Sequence, residues 1–219
     1  MKGFFSLDNP VMRFITKVGY LWYLDVLFVV TSLPVFTIGV SITALNYACM
    51  KLIDDEGTVT GNYFKSWKEN FKQGTGLGLL YLAFGALLAL ALVFYNRMDQ
   101  SDIKIMWAVV IAIGIFYFIS LCWVFAIQSK FVHTVQDTIH YSFVIAFQNL
   151  PETFLIMITI AAVVFFSCTQ PFIVLFLVLN FGIGWCFYLF AYFYAKVFDR
   201  YINKDQHRKA SKEAEPILK

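Results

Sequence analysis

Charge is what this sequence has least of. Only 14% of its 219 residues are charged, where a soluble domain carries about 25%. Four stretches hold no charged side chain at all: Val26 to Met50, Gly74 to Asn96, Ile105 to Ile127 and Thr153 to Ala195. Cysteine is also scarce. Cys49, Cys122, Cys168 and Cys186 all sit in apolar runs and none forms a C-x-x-C pair. That argues against a disulfide or zinc framework and leaves them as small packing residues. There is no Walker A sequence, no G-x-G-x-x-G after a strand, no H-E-x-x-H and no G-x-S-x-G. No polar region is large enough for a nucleotide-binding domain, so an ATP-driven process needs another subunit. The N-terminal residues carry no apolar region followed by a small-residue cleavage site, and the first membrane helix is expected to act as the insertion signal.

Apolar length is what the chain has most of. Hydrophobic residues make up 60% and aromatics 19%, including 25 Phe. A bilayer core takes about 20 apolar helical residues to cross. A charge at a helix centre costs roughly 2.5 to 3.5 kcal/mol on insertion scales. The expected fold is therefore all-α: a polytopic transmembrane helical bundle, with one domain over 1–196 and a basic cytoplasmic tail over 197–219. The net charge of +3 is modest, and a lipid bilayer rather than nucleic acid is the expected surroundings.

The span count turns on the first apolar region, about Val18 to Ile53, with Pro34 near its middle. Proline removes a helical hydrogen bond and disfavours helix at the residue before it. The region reads either as one kinked span plus an interfacial helix, or as a hairpin turning near Leu33 to Gly39, with its first helix starting near Pro10. Later spans are expected at about Thr75 to Tyr95, Ile103 to Gln128, Pro151 to Ser167 and Pro171 to Lys196. Basic residues collect in cytoplasmic loops. The hairpin gives six helices with both termini inside, fifteen basic residues inside and two outside. Five spans give twelve and five. The counts favour six, with five as the alternative, and both place the C-terminus in the cytoplasm.

Two segments look interfacial. Phe64, Trp67 and Phe71 recur at helical spacing with lysines between them, as in a helix whose rings anchor it at headgroup depth. From Gln128 to Asn149, Phe131, Val132, Val135, Ile139, Phe143 and Ala146 form an apolar stripe. His133, Gln136, Asp137 and His140 form the opposite face.

Chemistry is concentrated in few residues. Asp25 is a lone acid in the first apolar region. An intramembrane ionisable group is by default a functional candidate; the competing reading is a bond to a neighbouring helix. Asn46 and Asn180 are lone amides suited to interhelical hydrogen bonds. His133, Asp137 and His140 have i, i+4, i+7 spacing, but no complete metal-ligand set accompanies them, and a solvated helix face accounts for them equally. Gly78, Gly85 and Ala89 place small residues along one helix and allow close packing. No cofactor, metal or catalytic residue is expected.

The run Ser32-Leu33-Pro34-Val35-Phe36-Thr37-Ile38-Gly39, then Ala44-Leu45-Asn46-Tyr47, resembles the signature of the YesL family of bacterial membrane proteins. So does Tyr63-Phe64-Lys65-Ser66-Trp67-Lys68-Glu69-Asn70-Phe71-Lys72-Gln73. Beyond residue 75 the likeness is mainly hydropathy. The family commonly has Asn where this chain has Asp25. The resemblance brings no activity or catalytic residues with it. It implies a multi-pass protein of the bacterial cell membrane, found near genes for carbohydrate ABC importers. The expected role is a non-enzymatic accessory component of carbohydrate uptake that contacts the importer's transmembrane subunits; an independent small-solute transporter or channel is the alternative. Within this reading, Pro34 and Gly39 form the hairpin turn, Pro34, Thr37 and Gly39 are candidate functional or helix-interaction residues, and the Phe64 to Phe71 helix anchors the cytoplasmic loop before the next span.

Overall fold

A computed structural model describes residues 10–96, 104–169 and 183–203. All the regular structure described is helical: α1 (Pro10–Ser32), a 3-10 turn (Val35–Thr37), α2 (Ile38–Ile53), α3 (Val59–Glu69), α4 (Phe71–Asn96), α5 (Lys104–Lys130), α6 (Val135–Gln148), α7 (Leu150–Thr169) and α8 (183–203).

The first apolar region is a hairpin. Pro10 opens α1, where its missing N–H costs nothing, and Pro34 ends it. The turn is closed by Thr37, whose N–H bonds to Pro34 O at 2.9 Å. The Thr37 hydroxyl donates to Thr31 O at 2.6 Å and Pro34 O at 2.7 Å. The two arms run antiparallel, joined by Ser41 Oγ to Thr31 Oγ1 at 3.0 Å near the turn and by the Lys17–Asp55 ion pair at 3.0 Å near the open end.

Among the described residues, four helical segments are long and apolar enough to cross a membrane: Met12–Ser32, Val35–Ile53, Phe71–Tyr95 and Met106–Lys130. A fifth arises if α6 and α7, bent by 102° at Asn149, are taken as one broken span. The first half of the expected last span, 171–182, lies outside the described residues. Its second half is α8, which continues past Lys196 to residue 203 and buries Val197 and Phe198 in the core. The packed part of the chain thus extends beyond 196.

The core gathers Leu21 and Leu24 of α1, Ala44, Leu45 and Ala48 of α2, Tyr63 of α3, Trp123 of α5, Ile156 of α7 and Phe198 of α8. A smaller cluster, Leu77, Tyr81, Val124 and Phe125, seals the antiparallel α4–α5 pair. Lipid tails are as apolar as leucine, so such helices are held by close packing and hydrogen bonds rather than by escape from water. Trp123 Nε1 donates to Thr153 Oγ1 at 3.0 Å, and Asn149 Nδ2 to Tyr201 OH at 3.1 Å.

Candidate functional site

Asp25 lies on the buried side of α1, 9% exposed. Its Oδ1 accepts the Gly184 N–H of α8 at 2.5 Å. Glycine suits this close approach, because a Cβ would sit 3.0 Å from Asp25 Oδ1 and 3.1 Å from Leu21 O and would push the two helices slightly apart. The lone acid therefore joins two helices, and its buried Oδ2 has no hydrogen-bond partner among the described residues.

The hinge residues divide their roles. Pro34 and Thr37 make the turn. Gly39 does not: it lies in the first turn of α2, where α4 crosses. A Cβ on Gly39 would fall 2.4 Å from Gly74 O and 2.6 Å from Gly78 Cα, and one on Gly78 would meet Gly39 Cα at 2.8 Å. This expectation is corrected by a tertiary contact, since local sequence cannot show which helix will cross at that point.

Asn46 also differs from expectation. It is 2% exposed, but its Nδ2 donates to Ile42 O of its own helix at 3.1 Å rather than to another helix. Its Oδ1 is buried without a partner among the described residues. Asn180 lies outside the described residues.

The α3 anchor is only partly interfacial. Phe64 and Phe71 are exposed, whereas Trp67 packs against the core. The residue that fixes α3 is Tyr63, fully buried, with its hydroxyl 2.6 Å from Thr31 Oγ1. Its position in the second resemblance block was its only sequence signal. From the same block, Asn70 and Gln73 accept from Gln128 Nε2, each at 3.0 Å. Gln128 Oε1 accepts from Thr138 Oγ1 at 3.3 Å, which ties α6 to the same amide.

That network shifts the buried face of α6. Thr138, Ser142, Ile145 and Ala146 point inward, while Val132 is fully exposed. Most of the expected apolar stripe still packs inward, with Phe131, Val135 and Ile139 against the core clusters and Ala146 buried. Thr138 and Ser142 join that face because they find partners on α5, Ser142 Oγ lying 2.6 Å from Ser120 Oγ. On the expected polar face Gln136, Asp137 and His140 are exposed, but His133 does not join them. His133 precedes α6 and stacks on Phe131, while Asp137 accepts the Thr134 hydroxyl at 2.6 Å in the helix cap. No group of three His, Cys, Asp or Glu among the described residues could hold a metal ion.

The loop between α2 and α3 is shaped and charged. Asp55 (φ 54°) and Gly57 (φ 69°) adopt left-handed backbone, which is uncommon for a residue with a Cβ. Lys51 pairs with Glu56, and Asn62 Nδ2 holds Glu56 O at 2.7 Å. The hydrogen bond from Lys51 keeps the Glu56 carboxyl below its ordinary value of 4.5.

A family model described as "Protein of unknown function, DUF624" matches residues 21–92, and YesL proteins belong to that family. The matched stretch covers the turn, the Gly39–Gly78 crossing, the acidic loop and Tyr63. No curated protein and no solved structure gives a significant match to the chain.

Proposed function

We propose that this chain is a non-enzymatic accessory component of carbohydrate uptake in a bacterial cell membrane, binding the transmembrane subunits of an ABC importer. The observation that carries this reading is a contrast in burial. α2 is enclosed by its neighbours, whereas α4 turns Leu79, Leu87, Leu90, Val93 and Phe94 outward. A long apolar helix face of this kind is available to the helices of another membrane protein. The resemblance supplies the link to carbohydrate importers, and the distribution of basic residues supports a cytoplasmic C-terminus. The test is purification of the tagged protein from its native membrane in mild detergent, followed by mass spectrometry. Stoichiometric importer subunits are expected; their absence under gentle extraction would count against the reading.

Asp25 supports a second reading, a self-contained small-solute transporter. Its Oδ2 is the kind of group that a permeating ion or proton would visit. In that case Asp25→Asn abolishes flux in proteoliposomes. Unchanged flux would remove it.

A further inference from the structure

The largest cavity described, about 690 Å³, is a cleft between one face of α1 and the α2–α3 loop with the start of α3. Its volume falls in the range of small-molecule sites, roughly 300 to 1,000 Å³. The α1 wall is the stripe Thr16, Gly19, Tyr20 and Tyr23, which brings two rings and three hydroxyls to one side. The opposite wall offers Glu56, Thr60 and Asn62.

Three observations narrow the occupant. The charges are already matched, Asp55 by Lys17 and Glu56 by Lys51. A cation would have to displace a lysine, and an anion would meet carboxylates, so a neutral ligand fits best. Both tyrosine rings are substantially exposed, at 44% and 38%, and present flat faces suited to stacking. The far wall is held in shape by the Asn62 bond to the loop and by the Thr58 cap on Gly61 N–H at 3.3 Å, so its donors and acceptors are fixed in advance. Exposed aromatic faces beside preset hydroxyl, amide and carboxylate groups suit a ring that carries both C–H faces and hydroxyls.

We propose that this cleft binds a neutral polyhydroxylated molecule of one or two sugar rings, either a free sugar or the headgroup of a glycolipid. The proposal deepens the reading above by giving the solute a site on this chain. The two fail separately, because binding is measured on the protein alone and importer association by co-purification.

Gly19 provides the sharpest test. A Cβ there meets nothing within 4 Å, so a side chain can start from this position, on the α1 wall of the cleft, without a backbone clash. The full chain in mild detergent is titrated calorimetrically with glucose and with maltose. In a parallel arm, the protein is tested against nanodiscs with and without a diglucosyl diacylglycerol. Saturable binding of at least one probe is expected, with Kd at or below about 1 mM. Gly19→Leu should weaken it at least about tenfold without lowering the melting temperature. Tyr20→Ala, at an exposed position, should weaken it too and serves if the leucine variant does not fold. Binding of a soluble sugar assigns a free solute; binding only to the glycolipid nanodisc assigns a headgroup. No saturable binding of any probe, or undiminished binding by a folded Gly19→Leu or Tyr20→Ala variant, overturns the proposal.

Discussion

α2 and α4 are both long, apolar and nearly free of charge, yet they end in opposite surroundings. In its most apolar window α2 is 67% buried, whereas α4 is 17% buried. Hydropathy would rank them the other way, since α4 is the more apolar of the two. Hydroxylated side chains mark a difference: α2 buries Ser41 and Thr43 beside Gly39, Ala44 and Ala48, while α4 has only apolar side chains from Ala86 to Phe94. In a bilayer a leucine gains little by leaving lipid for protein, so burial follows close approach and hydrogen bonding. The crossing of α2 with α4 shows this directly. It uses three glycines, Gly39, Gly74 and Gly78, and α4 faces the outside beyond it.

Breaking that crossing should have the largest effect. Gly39→Ala places a methyl group within 2.4 Å of Gly74 O, and neither backbone can yield without moving a helix. A loss of about 3 kcal/mol is expected, at the upper end for overpacking, read as a lower melting temperature in detergent. The paired control is Gly76→Ala. Nothing lies within 4 Å of its Cβ, so it should be neutral or stabilising by up to about 1 kcal/mol. Equal effects of the two would show that the crossing does not hold α2 in place.

The amide junction comes next. Gln128→Leu leaves Asn70 Oδ1 and Gln73 Oε1 without their shared donor and removes one of the two acceptors of Thr138, which keeps Thr134 O. Unsatisfied buried groups cost about 1 to 3 kcal/mol each in soluble proteins, but interhelical hydrogen bonds in membranes average only about 0.6 kcal/mol. A total near 1 to 2 kcal/mol is expected. Asn70→Ala in the Gln128→Leu background should then add less than it does alone; full additivity would dissolve the network.

How much of this was legible follows the range of each interaction. Pro34 acts on its own neighbours, so the hairpin and its start at Pro10 could be read directly. Long charge-free runs announced the spans for the same reason. Gly39 could be noticed but not understood, because its constraint is the backbone of α4, dozens of residues away. Thr138 and Ser142 belong to neither of the two faces the sequence suggests for α6, because the partners that bury them, Gln128 and Ser120, sit on another helix. The cleft was least legible of all. Its α1 wall looks like ordinary membrane-interface tyrosine, and the other wall exists only because Asp55 and Gly57 turn the loop back over it.

On the exposed side, the contrast predicts tolerance. Leu90 is 65% exposed, so Leu90→Ala should change stability by no more than about 0.5 kcal/mol. If the same substitution reduces recovery of importer subunits, the α4 face is a docking surface; if it destabilises the isolated protein strongly, α4 is packed in a way its burial does not reveal.

The smallest effect belongs to Glu56. Its carboxyl is lowered, chiefly by the hydrogen bond from Lys51. A group lowered in the folded state contributes stability that is present above its ordinary value of 4.5 and is lost as pH falls through the lowered value. The side chain is fully exposed, so the contribution is slight and salt should screen it. Melting temperatures followed from neutral pH downward should fall a little more steeply for the wild type than for Glu56→Gln, and the difference should shrink at high salt. Parallel profiles would mean that Lys51 does not engage Glu56 in solution, and that the loop wall of the cleft is held by Asn62 and by the turn at Asp55 and Gly57 alone.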